Sequence, residues 1–458
     1  MSSTASAGAL ARPERGRPWW RRLLDAMAMP ALAIVSAFVL GGVVIWITSG
    51  SLATVGQAYA GLVQGAFLQK RGLSESLVAT DPYIWLALGV AVGFKTGLFN
   101  IGVEGQFDMG ALTAAWFGQA VHGLPAIILL PLTLLAGAIG GGIWAAIPGY
   151  LKARTGAHEV INTIMLNYVA FRFTELMLSG PLRAPGKNEV QTQGVDPNAQ
   201  VWTFTEIPHR LQDPLNALAV ALVVAFLAWL VVRWWQGRSN AGNPPVPPEK
   251  RRPAQLGIAA LAGLAAFVGL PALTRVWWPF TDPYDRMHIG ILIAIGAAVA
   301  VWWFLWRTKI GFELRTVGAN PSAARYAGIN ITRNIVLAMS ISGALAGIAG
   351  TIEVLGVSTC RCLPLFFSSG YGFDSIAVAL LGKNNPFGIL AAAFLFGALR
   401  NGSDLMELNS GVSKYVISLI QALVLLFVAA PAMVRWLYRM RAGREGEEAP
   451  LTRGWGGG

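Results

Sequence analysis

The sequence predicts an all-α polytopic membrane protein with about 12 transmembrane helices, and three observations support this fold class. Of the 458 residues, 54% are hydrophobic and only 13% are charged, which is too few to cover a soluble core of this size. The apolar residues fall in blocks of about 18 to 25, the length that crosses a hydrocarbon layer. The segments between these blocks alternate between basic and acidic, as expected for opposite sides of a membrane.

The first apolar block, residues 27–48, predicts a retained first helix, because it is longer than a signal-peptide core and no clear cleavage site follows it. Residues 1–26 form a basic lead that we expect to be disordered and cytoplasmic. Further spans are predicted to begin near Pro82, Gly105, Pro125, Glu159, Leu215, Ala254, His288, Asn334, Tyr371, Phe387 and Val412.

The loop charges predict the orientation. The basic segments, which we expect in the cytoplasm, are 150–158, 233–253, 307–333 and the tail 435–458. The more acidic segments, which we expect outside, are 179–214, 277–286 and 403–411. An even number of spans then places both termini in the cytoplasm. The net charge of +12 is explained by basic loops meeting anionic lipid, so nucleic acid is not an expected partner.

Few residues suggest metal or redox chemistry. Cys360 and Cys362 are too few for a metal site, and one intervening residue would strain a disulfide between them. We therefore expect two small, unpaired residues at a helix end. The four histidines are scattered along the chain, so no metal site is predicted.

Residues 97–110 place Asn100, Glu104, Gln106 and Asp108 between two apolar stretches. Unpaired at membrane depth, each would cost several kcal/mol, so these groups must face protein, water or a ligand. Two interpretations stay open: a translocation pathway or gating element, and an interhelical hydrogen-bond network that only holds the bundle.

Residues 152–168 open on a basic turn and continue as a helix that bears Asn162 and Asn167. Amides are cheaper in a membrane than charges and can bind polar solutes. The same two alternatives, pathway and interhelical bonding, apply to these amides.

Residues 307–329 predict a short cytoplasmic helix. Asn320 is the cap, Pro321 occupies the first turn, residues 322–326 form the helix and Gly328 ends it. Such a helix suits docking to another protein, and an ordinary interfacial helix is the alternative.

Two features after this helix concern packing. Gly343 and Gly347 share one helix face suited to close packing, and Glu353 is expected to snorkel near the outer end of that helix. The span that begins at Tyr371 is short and turns at residues 383–386, which in transporters often marks the pathway.

The sequence contains no phosphate-binding loop, zinc-protease helix or nucleophile elbow. No catalytic residue is predicted, the chain is not expected to be an enzyme, and any ATP that drives it must be hydrolysed by another chain.

Five ordered motifs carry a family resemblance over residues 80–214 and 287–430. They are GLFNIGVEGQFDMGAL, EVINTIMLNYVA, GFELRTVGANPSAARYAGI, SGALAGIAGTIEVLG and GYGFDSIAVALLGKNNPFG. Together they closely resemble the permeases of nucleoside and simple-sugar ABC importers, the branch served by basic-membrane-protein-type nucleoside-binding lipoproteins.

The resemblance implies a core of about ten helices in a bacterial cytoplasmic membrane. It implies three protein partners: a paralogous second permease, an ATPase with tandem nucleotide-binding domains, and an extracytoplasmic binding lipoprotein. No cofactor is expected on this chain, and ATP–Mg is expected on the partner ATPase. The residues that look like the ATPase-coupling segment are Gly318, Asn320, Pro321, Ala324, Arg325, Tyr326 and Gly328.

The sequence departs from the family in one region, where residues 215–276 look like an inserted two-helix hairpin with a Pro-rich cytoplasmic linker. The expected units are therefore a basic lead (1–26), a first core part (27–214), the hairpin region (215–286), a second core part with coupling loop 307–333 (287–434), and the tail (435–458).

The favoured function is translocation of nucleosides, with Asn100, Glu104, Gln106, Asn162 and Asn167 lining or supporting the pathway. Simple sugars are the alternative cargo. A secondary transporter, with Glu104 and Asp108 as ion ligands, is a less favoured mechanism. A lipid-modifying enzyme is disfavoured because no catalytic constellation of His, Asp, Glu or Ser is present.

Overall fold

A computed structural model describes residues 19–239, 248–430, 433–434 and 437–438. Most of the predicted basic lead, the middle of the Pro-rich linker and nearly all of the predicted tail lie outside the described residues. Within them the chain is almost entirely helical, and the β-structure consists of two isolated bridges, Gln191–Pro364 and Thr203–His288.

The described residues form 16 α-helices and two π-helical turns. In the first half the helices are α1 (Trp19–Ser49), α2 (Leu52–Val63), α3 (Gly72–Lys95), α4 (Val103–Ala120), α5 (Ala126–Thr155), α6 (Glu159–Ser179), α7 (Ile207–Arg210) and α8 (Pro214–Ser239). In the second half they are α9 (Pro248–Val276), α10 (Gly290–Arg307), α11 (Lys309–Ala319), α12 (Pro321–Tyr326), α13 (Ile331–Ile352), α14 (Tyr371–Leu381), α15 (Pro386–Ser410) and α16 (Tyr415–Ala429). The π-helical turns are Gln64–Leu68 and Glu353–Val357.

Seven helices of the described chain are long and apolar enough to cross a membrane: α1, α3, α5, α8, α9, α10 and α13, the last with the π-turn that follows it. A helix stands at every other predicted span as well. However, α4, α6 and α15 carry more polar residues, and α14 and α16 have only 11 and 15 residues. The chain is therefore a multi-pass helical membrane protein, and the count of about 12 spans stays a prediction.

Helix α3 begins at Gly72, ten residues before its predicted start near Pro82. The prediction was wrong here because residues 72–81 look too polar for a span. In the structure Ser76, Thr80 and Asp81 are buried against the rest of the bundle, and Ser76 Oγ donates to Ala66 O at 2.9 Å.

Helix α13 lies at the centre of the bundle, where it packs against α3, α4 and α5. Helix α15 packs on α2 and α3, and α1 packs on α16. The hairpin of α8 and α9 packs chiefly on itself, and its outer faces are apolar and exposed, as at Leu222 and Leu264. Its position is peripheral to the rest of the bundle.

The predicted close packing at Gly343 and Gly347 is confirmed. A Cβ added to Gly347 would lie 2.1 Å from Gly137 O, and one added to Gly343 would lie 2.4 Å from Gly141 O. Helices α5 and α13 therefore cross at a distance that only glycine permits here.

The expectation for the two cysteines is wrong, because the structure joins Cys360 and Cys362 in a disulfide within the loop that follows α13. Arg361, between them, has a φ of +49°, and this left-handed turn brings the two Cα atoms to 5.1 Å, a separation that disulfides span.

Candidate functional site: the polar interior and the two ends of the bundle

Four of the five predicted pathway residues bond to one another or to neighbouring elements, and three of these carry amide side chains. Asn100 Nδ2 donates to Gln106 Oε1 and to Ser342 Oγ, both at 2.9 Å. Asn167 Oδ1 accepts the Gly105 N–H at 2.9 Å. These contacts tie the start of α4 to α6 and α13, which is the geometry of the interhelical alternative. The role of these amides in transport stays a prediction.

Glu104 holds the start of a helix that begins inside the bundle. Its carboxylate accepts hydrogen bonds from Ser368 Oγ and from the Gly372 and Phe373 N–H groups at the first turn of α14. A negative charge there satisfies free N–H groups and complements the helix dipole. The non-helical segment 358–370 begins after the π-helical turn that follows α13. It ends at the start of α14, where Glu104 accepts the N–H groups of the first turn.

The remaining pathway residue, Asn162, and Asp108 of the same polar cluster each carry a buried polar atom without a hydrogen-bond partner among the described residues. Asp108 Oδ1 and Asn162 Nδ2 are inaccessible to solvent, and neither makes a hydrogen bond among the described residues. An unsatisfied buried group is costly, so such positions mark places where a water or a solute could bind.

The sequence prediction missed a buried charged cluster between α3, α14 and α15. Tyr83 Oη donates to Asp374 Oδ2 at 2.9 Å, and Arg400 Nη1 donates to Tyr83 Oη at 3.3 Å. The Arg400 guanidinium also lies 3.8 Å from the ring centroid of Tyr371. The available signal was an ionisable residue within an apolar helix, which in a membrane protein indicates a buried partner.

The sequence analysis also did not predict a buried pair of ionisable residues between α3 and the loop before α10. Asp81 Oδ2 and His288 Nδ1 are 3.6 Å apart, both residues are buried, and neither side chain makes a hydrogen bond within the part of the chain that the structure describes. Glu353 also has a buried, unpartnered Oε2. The expectation that Glu353 snorkels is therefore wrong, because its carboxylate reaches into protein.

The chain around α7, the loop before α10 and the loop after α13 line an open cleft of about 710 Å³, which we call the outer pocket. Its walls are residues 203–209, 278–286 and 356–361, and the lining includes Trp278, Phe280 and Glu206. The Trp278 indole donates to Phe204 O at 2.7 Å, and the Phe280 ring centroid is 4.8 Å from that of Phe204. These contacts fix the aromatic wall of the outer pocket.

Ion pairs connect the same loops to the start of α3. Arg71 Nε donates to Asp282 Oδ2 at 3.0 Å, and Lys70 Nζ lies 3.1 Å from the same oxygen. The hydrogen bond from Arg71, with the Tyr284 N–H and Lys70, lowers the pKa of Asp282 from 3.8 to about 2. Arg286 pairs with Glu75 in the same region.

The predicted cap and short helix at the opposite end are confirmed. Asn320 Oδ1 accepts the Ala323 N–H at 3.0 Å, α12 follows, and Gly328 has a φ of +75°. Tyr326 is 97% exposed and Ala324 is buried, so α12 presents one free face.

Gly318, near the end of α11, connects the segment of α11 and α12 to the rest of the bundle. A Cβ on Gly318 would lie 2.4 Å from Lys95 O, so α11 touches the backbone of the α3–α4 turn directly. That turn leads into α4, which carries Glu104. A displacement of α11 and α12 would therefore act on the polar interior through rigid helices.

A family profile described as the permease component of branched-chain amino acid transport systems matches residues 72–243 and 256–430. The match is interrupted only at residues 244–255, which belong to the linker between α8 and α9 and to the first residues of α9.

Three curated relatives show what the chain is similar to. The guanosine ABC transporter permease protein NupP of Bacillus subtilis (strain 168) is 34% identical over 90% of this chain and 96% of its own length. The glucose ABC transporter permease protein TsgB13 of Haloferax volcanii is 30% identical over 96% and 95%. A second guanosine permease of Bacillus subtilis, NupQ, is 24% identical over 70% and 78%. No solved structure matches the chain.

Proposed function

The chain belongs to the permease family of branched-chain amino acid transport systems, and we propose that it is the permease subunit of an ABC importer for nucleosides. The observation that carries this proposal is the 34% identity to a guanosine permease, which extends over nine-tenths of the chain. The multi-pass bundle supplies the membrane-spanning part of such an importer, and no ATPase motif is present in the sequence.

We propose that a separate ATPase docks on α11 and α12. The exposed Tyr326, the cap at Asn320 and the contact between Gly318 and the α3–α4 turn support this assignment. ATP–Mg would bind to that partner, and this chain would bind no cofactor of its own. Tandem nucleotide-binding domains in the ATPase belong to the same proposal.

We propose a second, paralogous permease as the other half of the pore. Its support is that two permeases of one organism, NupP and NupQ, both resemble this chain, at 34% and 24% identity. An extracytoplasmic binding lipoprotein would deliver the solute to the outer loops.

The proposed orientation places α12 in the cytoplasm and the outer pocket outside, with both termini in the cytoplasm. The disulfide between Cys360 and Cys362 supports it, because disulfides persist in oxidising compartments outside the cytoplasm. The disulfide loop bonds to the long loop before α8, for example through Val195 N and Arg361 O at 2.9 Å. Helix α12 precedes α13, whereas the disulfide follows it, so the two lie at opposite ends of that span.

For the pathway we propose that Glu104 positions α14. Asp108 and Asn162 would face the solute or its water. Asn100, Gln106 and Asn167 would hold the surrounding helices in place. The hydrogen bonds to Ser368 and to the α14 N–H groups support the first role. The buried, unpartnered atoms support the second. We propose that the hairpin of α8 and α9 lies at the periphery of about ten core helices, and the family profile matches both of its helices outside residues 244–255.

Uptake of labelled nucleosides by cells that lack this chain tests the cargo. We expect uptake to fall to background and to return with the wild-type gene. Nucleoside uptake that is unchanged by the deletion would reject the proposal. Glucose uptake that is lost instead would favour the sugar alternative, which the similarity to TsgB13 keeps in view.

A further inference from the structure

The outer pocket has two chemically different walls. Trp278 and Phe280 form an aromatic wall whose ring centroids are 5.8 Å apart, and fixed contacts to Phe204 hold both rings. The remaining lining contains Glu206 together with hydroxyl-bearing residues such as Thr205 and Ser358. The volume of about 710 Å³ lies within the range of about 300–1,000 Å³ typical of small-molecule sites.

Most of the charge around the outer pocket is already paired. Arg286 pairs with Glu75, Asp285 accepts from Ser74 Oγ, and Arg361 Nη1 donates to Leu355 O at 2.8 Å. The pocket therefore offers few free cations or anions to a charged ligand, which favours a neutral solute.

Glu206 lies in the same lining, and its side chain is 41% exposed. Its buried Oε2 lies 3.5 Å from Arg210 Nη2 in an ion pair, so only the other carboxylate oxygen is open to a ligand. A carboxylate oxygen that can accept hydrogen bonds beside an aromatic wall matches a ligand that has a flat ring and neighbouring hydroxyl donors. A carboxylate is the group that recognises ribose hydroxyls in other nucleotide sites, and flat bases stack on aromatic side chains.

We propose that the outer pocket binds the nucleoside itself before translocation, with the base against Trp278 and Phe280 and the ribose hydroxyls on Glu206. This site would be separate from the binding protein and would retain the solute at the outer mouth of the pore. The inference rests on the proposed nucleoside function.

Equilibrium binding of labelled guanosine to the purified chain in lipid nanodiscs, without a binding protein, tests the site. We expect saturable binding that unlabelled adenosine displaces and that ribose, glucose and guanosine monophosphate do not. Trp278→Ala should weaken binding by about tenfold or more, the loss expected when one base loses its stacking partner. Trp278→Phe should retain most of the affinity and shows whether the loop still folds.

Glu206→Gln should weaken guanosine binding about tenfold, because a charged hydrogen bond is lost. The same substitution should leave the weaker binding of 2′,3′-dideoxyguanosine unchanged, since that ligand lacks the 2′- and 3′-hydroxyl groups proposed to bond to Glu206. Two matched controls are Phe366→Ala and Asp404→Asn, an exposed aromatic and an exposed acid that do not line the outer pocket. Neither should change binding.

No saturable binding to the wild-type chain, or equal binding by wild type, Trp278→Ala and Glu206→Gln, would overturn the inference. Tighter binding of the monophosphate would overturn the assignment of a neutral ligand. Nucleoside uptake by intact cells separates this failure from failure of the proposed function. Normal uptake without binding in the pocket rejects only the pocket, whereas absent nucleoside uptake rejects the importer proposal as well.

Discussion

Specific partners stabilise the half-buried charges between α3, α14 and α15. Arg400 is the clearest case, because it contacts Tyr83 and stacks on Tyr371 while Tyr83 bonds to Asp374. Removing one member leaves the others desolvated without compensation, whereas replacing both charges with apolar side chains removes that penalty.

Arg400→Met should therefore lower the free energy of unfolding by about 3–5 kcal/mol. The double variant Arg400→Met with Asp374→Leu should recover part of that loss, because no unpaired carboxylate remains. Equilibrium unfolding of the purified single and double variants measures both effects. Additive losses in the double variant would show that the two charges do not interact.

The ion pair at Asp282 predicts a pH dependence. Because the folded pKa of about 2 lies below the ordinary 3.8, the pair stabilises the folded state fully above about pH 4. That contribution is lost as the pH falls through 2. The melting temperature of wild type should exceed that of Asp282→Asn by a constant amount from pH 7 to 4 and should converge with it towards pH 2.

Asp404→Asn provides the matched control, because Asp404 is exposed and its pairing with Lys414 spans 3.6 Å in solvent. It should change the melting temperature little at any pH. A difference between wild type and Asp282→Asn that grows on acidification would contradict the assignment.

At the scale of helices, much could be predicted from the sequence. The structure confirms three predictions that depend only on residues near in sequence. They are the helix cap at Asn320, the helix end at Gly328 and the closely packed helix face at Gly343 and Gly347. The start of α3 could not be predicted, because its polar residues become acceptable only through partners that are distant in sequence. The same reason hid the cluster of Tyr83, Asp374 and Arg400, because Tyr83 lies 291 and 317 residues from the other two.

The crossing of α5 and α13 predicts a contrast between two helical glycines. Gly347→Ala would place its Cβ 2.1 Å from Gly137 O, so the helices must separate, at a cost of about 1–3 kcal/mol or more. Gly296→Ala in α10 meets nothing within 4 Å and should stabilise the protein by about 0.5–1 kcal/mol through helix propensity. Thermal unfolding of the two variants measures the contrast, and equal stabilities would refute the close crossing.

For the whole molecule, ATP-driven import requires that force from an ATPase reaches the interior through α11 and α12. Tyr326→Ala should leave the purified chain as stable as wild type, because the side chain is 97% exposed. It should reduce co-purification of the ATPase and stimulation of ATP hydrolysis by about tenfold or more, the typical loss at an interface hot spot.

Tyr415→Ala is the matched control, an aromatic side chain that is 75% exposed and lies far along the chain from the coupling segment. It should leave ATPase association intact. Loss of association in both variants, or in neither, would argue against docking at α12.

Transport in proteoliposomes that contain this chain, its partner permease, the ATPase and the binding lipoprotein tests whether the chain is an ATP-driven nucleoside permease. We expect labelled guanosine to accumulate only with ATP on the ATPase side, and to continue accumulating after ionophores collapse every ion gradient. Guanosine uptake by this chain alone, driven by an ion gradient and independent of ATP, would contradict this role.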